Sequence, residues 1–483
     1  MQYKWTVLTV TTVGVLIAGI DSRIVVIGLP QVASALGADA EQAVWFTQAY
    51  TLGSTIALLF IGRISDMIGR AKVYSLGFAV FTIGSALTSM SQLPEHVVAF
   101  RFVQGLGAAI LFTNSAALIT DATPRSELGL SLGINQIAFR GGAMVGLTVS
   151  GLILSILDWR ALFYVNIPIG IFGTIWAHRR LSEISAPERH EPMDWVGFAS
   201  FTIFITSLLF ALTLAAYGTA NYLVASLGAL STITLAIFVR QERRVTFPML
   251  DLGLLKIREF TGGVVAMLLS AIAWGAVLLL ISLYFQLVEG LSPFQAGLAI
   301  LPFDIAFLAA GPISGKLSDR YGHVPFTTSG LALISLSLYL LSTTTSTTPY
   351  VQLALDLVVY GLGIGLFTSP NLSSIMGSVP LQRRGIASGL RATFFNVGFT
   401  VSFNVTILLM TLALPYGVLT NMISSLNSSA ITQTDRVLFV GGLRDAYLWL
   451  SLLNALAIIP SLLRGRRPSP EISVTTNIPA QSP

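Results

Sequence analysis

The stretch Gly62-Arg63-Ile64-Ser65-Asp66-Met67-Ile68-Gly69 returns later in the chain as Gly315-Lys316-Leu317-Ser318-Asp319-Arg320-Tyr321-Gly322. Both copies read G-x-x-S-D-x-x-G, and they lie 253 residues apart. A repeat at that distance implies two copies of one structural unit within a single chain. The interval also counts helices, because each copy sits in a polar gap between two apolar runs. A membrane helix takes about 20 residues plus a short loop. Six helices would need about 42 residues each to fill the interval, whereas eight need about 32, which fits. The spacing therefore predicts six helices, two inserted ones, and six more.

The composition requires a bilayer. Of 483 residues, 54% are apolar and 10% charged, and mean hydropathy is +0.78. Soluble domains carry about 25% charged residues. A soluble enzyme, a disordered protein and a secreted disulfide scaffold are all excluded. Apolar runs begin near Thr6, Ala43, Val73, Glu95, Leu128 and Ala161, then Trp195 and Tyr222, then Thr261, Phe294, Phe326, Val351, Ile386 and Tyr447. The expected fold is an all-α membrane protein with two six-helix bundles and two inserted helices, 14 transmembrane helices in total. The expected divisions are 1–181, 182–245 and 246–465, with a disordered cytoplasmic tail at 466–483 and a long polar connection from Pro415 to Asp445. The first run is too long for a signal-peptide core and reads as a retained helix.

The basic residues give the orientation. With alternate loops on alternate sides, twenty of the 27 Lys and Arg fall on the side of the termini. Three, Arg160, Arg436 and Arg444, fall on the other, and four lie within helices. By the positive-inside rule both termini are cytoplasmic, in the cell membrane. The net charge of +5 is thus a topology signal, and no nucleic-acid partner is implied.

Seven charged residues fall inside predicted helices: Asp21, Arg23, Arg101, Arg140, Asp304, Asp356 and Arg391. Ionisable groups at such depth are costly and mark a substrate or proton pathway, or a structural pair. At 1.5 Å per residue, Asp21, Arg101 and Arg140 lie about 22, 21 and 18 Å from the inner face, and Asp304 about 15 Å. Asp304 has no basic neighbour on its own helix and stands out as the titrating acid; Arg101 is expected to bond the backbone of the first helix where it breaks near Gly28 and Pro30. Arg23 lies about 200° around the helix from Asp21, so only one of the two faces a cavity directly. Gly62, Asp66, Gly69 and Arg70, with Gly315, Asp319, Arg320 and Gly322, form candidate conformational latches. Gly361, Gly363 and Gly365 lie within an apolar helix and read as close packing, not a phosphate loop. Trp45, Trp274, Tyr284 and Phe285 read as packing or interface aromatics. There is no Cys, no P-loop, no metal-ligand spacing and no nucleophile–base pair, so an enzyme, an ATP-driven pump, a cofactor and a metal site are all unexpected.

In order along the chain, these features resemble the major facilitator superfamily, specifically its fourteen-helix drug:proton antiporters. The resemblance rests on Gly62, Asp66, Gly69, Arg70 and Lys72; on Arg101-Phe102-Val103-Gln104-Gly105; and on Asp158-Trp159-Arg160 with Asn166-Ile167-Pro168. Asp194-Trp195-Val196-Gly197 and Gly385-Ile386-Ala387-Ser388-Gly389 complete it. The fifth helix keeps Gly142, Gly146 and Gly151 of the antiporter signature, with Leu147 in place of its proline. In the first helix, Arg23 replaces the usual Thr. The resemblance implies a monomeric, proton-coupled exporter of small amphipathic or drug-like molecules that works by alternating access. An exporter of an anionic or zwitterionic metabolite is the alternative, and a non-transporting receptor or scaffold is the reading from another class.

Overall fold

A computed structural model of the chain describes residues 3–124, 127–183, 193–218, 221–246, 248–380, 383–424 and 432–464. Fourteen helices are long and apolar enough to cross a membrane. They are α1 (Tyr3–Leu36), α2 (Ala40–Ile68), α3 (Arg70–Ser89), α4 (Pro94–Ala122), α5 (Leu128–Ile156), α6 (Ala161–Arg180), α7 (Trp195–Ala216) and α8 (Asn221–Glu242). The rest are α9 (Arg258–Val288), α10 (Pro293–Tyr321), α11 (His323–Leu341), α12 (Tyr350–Gly377), α13 (Ile386–Thr411) and α14 (Gln433–Leu463). Among the described residues there is no strand. An even number of crossings puts Tyr3 and Leu463 at the same face, called here the termini face. The expected tail, Arg189, and part of the Pro415–Asp445 connection lie outside the described residues.

The repeat is visible in backbone detail. In each copy a serine hydroxyl donates to the carbonyl three residues back, Ser65 to Gly62 and Ser318 to Gly315. In each copy the final glycine closes the helix with its N–H, Gly69 onto Ser65 and Gly322 onto Ser318. Both glycines have positive φ, 117° and 85°, which a side chain would strain. These two turns start α3 and α11.

Glycines bring helices to backbone contact. A Cβ added at Gly142 or Gly146 would overlap the carbonyl oxygen of Leu16 or Ile20, so α5 lies directly on α1. Gly151 faces the start of α10 at Phe294. The Gly361–Gly365 series presses α12 on α10 through Gly361 and Gly365 and on α11 through Gly363, which is the packing role expected of it.

Two expectations about helix ends and breaks are corrected. α1 runs unbroken through Gly28 and Pro30. Pro30 has no N–H for the Val26 carbonyl, and Ser282 of α9 donates to that oxygen at 3.3 Å instead. The break occurs in α9, at Gly275–Ala276, where the freed Ala276 N–H donates to Ser402 Oγ at 3.0 Å. The last crossing begins at Gln433, not near Tyr447, because Thr432 and Asp435 form a capping box and Phe439, Val440 and Leu443 bury its first turns. A short helix, Tyr416–Ser424, precedes it.

The inserted hairpin α7–α8 packs across the junction of α2 and α13. Trp45 and Phe60 of α2 pack against Phe210 and Phe198 of α7, the second pair edge to face. Asn404 of α13 donates to the Leu209 carbonyl and to Thr213 Oγ1, and accepts from Gln48 of α2. Trp45 is therefore a packing residue, as expected.

Candidate functional site

The seven intramembrane charges separate into three groups. In the first, Asp21 lies wholly inside the N-terminal bundle. Its carboxylate accepts from Arg101 Nη1 at 2.5 Å, Gln104 Nε2 at 2.8 Å and Asn166 Nδ2 at 2.7 Å. Asp21 and Arg101 are both 0% exposed. Arg101 also donates to the Phe46 carbonyl of α2 and lies 4.3 Å from the centre of the Tyr50 ring. Ser85 of α3 accepts from Gln104. Five helices of one bundle thus converge on a single satisfied carboxylate. Asp21 thus faces its own bundle, and Arg101 bonds the backbone of α2 rather than a break in α1. Gln104 and Asn166 stood in the sequence motifs without an assigned role; their signal was an amide inside an apolar helix, which needs a buried partner.

The second group lies on the seam between the bundles. Arg23 Nη1 of α1 donates to Asp304 Oδ1 of α10 at 2.8 Å. Asp304 is 2% exposed, and its Oδ2 has no partner among the described residues. The expectation of a lone acid is corrected, since its cation comes from the opposite bundle. Helical side chains lean toward their own N-termini. α1 starts at the termini face and α10 at the opposite face, so Arg23 and Asp304 lean toward each other and meet near the membrane centre.

Arg140 of α5 and Arg391 of α13 flank this pair. Arg140 lies 4.6 Å from the Phe307 ring centre, one helical turn below Asp304, and within electrostatic reach of Arg23. Arg391 is within reach of Arg140 and contacts Met267 Sδ at 3.9 Å, while its Nε has no hydrogen-bond partner among the described residues. Neither has an ion pair among the described residues. Arg140, although at a depth similar to theirs, therefore does not join Asp21 and Arg101. An aromatic wall adjoins the cluster: Phe303 and Phe307 of α10, Tyr360 of α12, Trp274 of α9, and Phe395 and Phe399 of α13. Tyr284 instead bonds Glu289 and the Thr345 carbonyl, with Phe285 packed beside it.

The third group is Asp356 alone, 5% exposed on α12, where its backbone carbonyl accepts from Ser337 of α11. Its Oδ2 has no partner among the described residues.

At the termini face the two latch copies differ. Arg70 donates to Asp66 at 2.9 Å and to both oxygens of Asp121 of α4 at 2.7 and 2.9 Å. Glu183 accepts from the Ala71 and Lys72 N–H groups, closing the start of α3. In the second copy His323 takes the place of Arg70, and Arg320 takes that of Met67. Asp319 and Arg320 are exposed and without an ion pair among the described residues; Arg320 lies over the Tyr321 ring at 5.4 Å. Among the described residues, the first copy is tied by ion pairs, and Asp319 and Arg320 of the second carry none.

The contacts that join the bundles are concentrated from the membrane centre toward the face opposite the termini. Gln286 of α9 donates to the Ile27 carbonyl at 3.0 Å and bonds Gln31, and Tyr416 Oη accepts from the Glu41 N–H at 3.1 Å. Thr55 and Thr400 meet at 3.0 Å near the centre.

Comparison with known proteins agrees with this architecture. The chain is 31% identical to the riboflavin transporter RibZ of Clostridioides difficile over 83% of this chain and 87% of that one. It is 29% identical to the multidrug efflux pump LfrA of Mycolicibacterium smegmatis over 82% and 79%. Among solved structures, a D-xylose–proton symporter superposes with a TM-score of 0.64 at 16% identity, covering 95% and 97% of the two chains. A bacterial homologue of the human lysosomal transporter Spinster gives 0.66 at 13% identity over 96% and 97%; both show the shared fold. The family model described as Major Facilitator Superfamily matches residues 11–403, and the chain belongs to that superfamily of membrane transporters.

Proposed function

We propose that this transporter exports small amphipathic molecules in exchange for protons, by alternating access, in the cell membrane with both termini cytoplasmic. The observation that carries the reading is the Arg23–Asp304 pair, a titratable contact across the seam at the membrane centre. A proton on Asp304 removes its charge and with it the ionic tie between the bundles, so proton occupancy and bundle separation are linked. The contacts at α1–α9 and α2–Tyr416 support a state closed on the outer side. The seam is complete within one chain, which supports a working monomer. Drug-efflux and riboflavin-transporter relatives support a small-molecule substrate.

The test is uptake of fluorescent amphiphiles into proteoliposomes under an imposed pH gradient. Gradient-driven accumulation that collapses with a protonophore is expected, and Asp304→Asn should uncouple flux from the gradient. Flux indifferent to the gradient in the wild-type protein would refute the proposal.

A further inference from the structure

We infer that the seam binds the anionic group of a planar aromatic substrate, with Arg140 and Arg391 as its receptors. The inference rests on the exporter reading above and specifies its substrate class.

The charge balance is the starting point. Three guanidiniums, Arg23, Arg140 and Arg391, lie within electrostatic reach in sequence, and the carboxylate described among them is that of Asp304. The other intramembrane acids are placed elsewhere: Asp21 is held by Arg101, and Asp356 sits beside α11. The seam thus carries two positive charges in excess. Charges in a low-dielectric interior are retained where a partner offsets them or where function requires them. A lipophilic cation would meet net repulsion there, whereas a carboxylate or sulfonate would meet two guanidinium forks suited to bidentate binding.

The surroundings specify the rest of the molecule. Arg140 already rests on Phe307, and Arg23 lies 5.7 Å from the Phe303 ring. Phe395 lies one helical turn from Arg391, and Trp274 stands beside Phe395 and Phe399. The partly exposed rings of Trp274, Phe395 and Phe399 can take the face of a flat aromatic body while its anionic end reaches the arginines. Met267, which contacts Arg391, adds an adaptable thioether surface.

Binding of this kind is non-covalent throughout, an exchange of ion pairs and ring contacts at the seam.

The experiment uses full-length protein, purified and also reconstituted in phosphatidylcholine vesicles, so that no anionic lipid competes. Fluorescein is the anionic probe, its methyl ester the uncharged-carboxyl control, and ethidium the cation. The wild-type protein should bind fluorescein at least tenfold more tightly than the ester. Arg140→Gln and Arg391→Gln should each weaken fluorescein binding at least tenfold. Arg140→Lys keeps the charge but loses the fork and should recover the binding only in part. Arg179→Gln, exposed at the end of α6, should change none of these. Monodisperse elution of each variant establishes that it is folded. Wild-type protein that pumps ethidium but does not bind fluorescein, or glutamine variants that bind it normally, would overturn the anion assignment and leave the exporter reading standing. Absence of gradient-driven flux for every dye would overturn the exporter reading itself.

Discussion

Asp21→Asn is expected to be a stability variant rather than a coupling variant. The carboxylate accepts three side-chain hydrogen bonds, and neither it nor Arg101 touches solvent. Asparagine retains the shape and one acceptor oxygen but leaves the Arg101 guanidinium buried without its counter-charge. Removing one member of a buried pair costs about 3–5 kcal/mol. The remaining acceptors, the Phe46 carbonyl and Gln104 Oε1, and the Tyr50 ring at 4.3 Å offset part of that, so the lower end, about 3 kcal/mol, is expected. Arg101→Met should cost a similar amount by stranding Asp21. The double variant should recover about 2 kcal/mol relative to the sum, because neither orphan charge remains. The assay is SDS-titrated unfolding of the purified protein in mild micelles, with the pH profile of transport recorded for each folded variant. A single-variant loss below about 1 kcal/mol, or strict additivity in the double, refutes a structural pair. So does an Asp21→Asn protein of normal stability with a flattened pH profile, which would return Asp21 to the proton pathway.

Other variants follow from the same geometry. Gly142→Leu and Gly146→Leu should prevent folded protein from accumulating, read by size-exclusion chromatography, because each forces α5 off the α1 backbone. Gly62→Ala, which meets open space, should cost less than about 0.5 kcal/mol in the same unfolding assay, whereas Gly69→Ala should cost about 1 kcal/mol or more at its positive φ. Arg70→Gln frees two carboxylates and should slow transport at equal expression; Asp319→Asn, in the second copy, should have the smaller effect. Ser282→Ala leaves the Val26 carbonyl without its donor and should destabilise the protein by about 1 kcal/mol, together with greater solvent access to Gln31 by cysteine labelling of Gln31→Cys.

The fold was legible because its signals are local. Hydropathy runs locate helices, loop arginines orient them, and the spacing of the Gly62 and Gly315 copies counts them. Boundaries near Tyr447 and Pro30 were misread where a cap or a partner helix overrides local pattern: Thr432 extends α14 through polar residues, and Ser282 holds α1 straight at a proline. The site divides in the same way. Which charged residues lie within the helices could be read from the apolar runs, and that only one of Asp21 and Arg23 would face the seam followed from their angular separation. Their partners could not be read, since Arg23 and Asp304 lie 281 residues apart and meet only when the bundles pack. The loss of Arg70's counterpart to His323 was present in the sequence, but its consequence appears only when Asp121 is seen on α4.

The glycine contact between α1 and α5 acts as a fixed gauge. Gly19 meets the Phe139 carbonyl, and Gly142 and Gly146 meet those of Leu16 and Ile20, so the two helices have no compliant layer between them. Arg23 and Arg140 are carried on this directly packed pair, so the spacing of their backbones is expected to hold when the bundles move. Asp304 and Arg391 ride on the other bundle and travel relative to it. One jaw therefore presents an unchanging template to each molecule that enters, and the opposite jaw changes what that template is paired with.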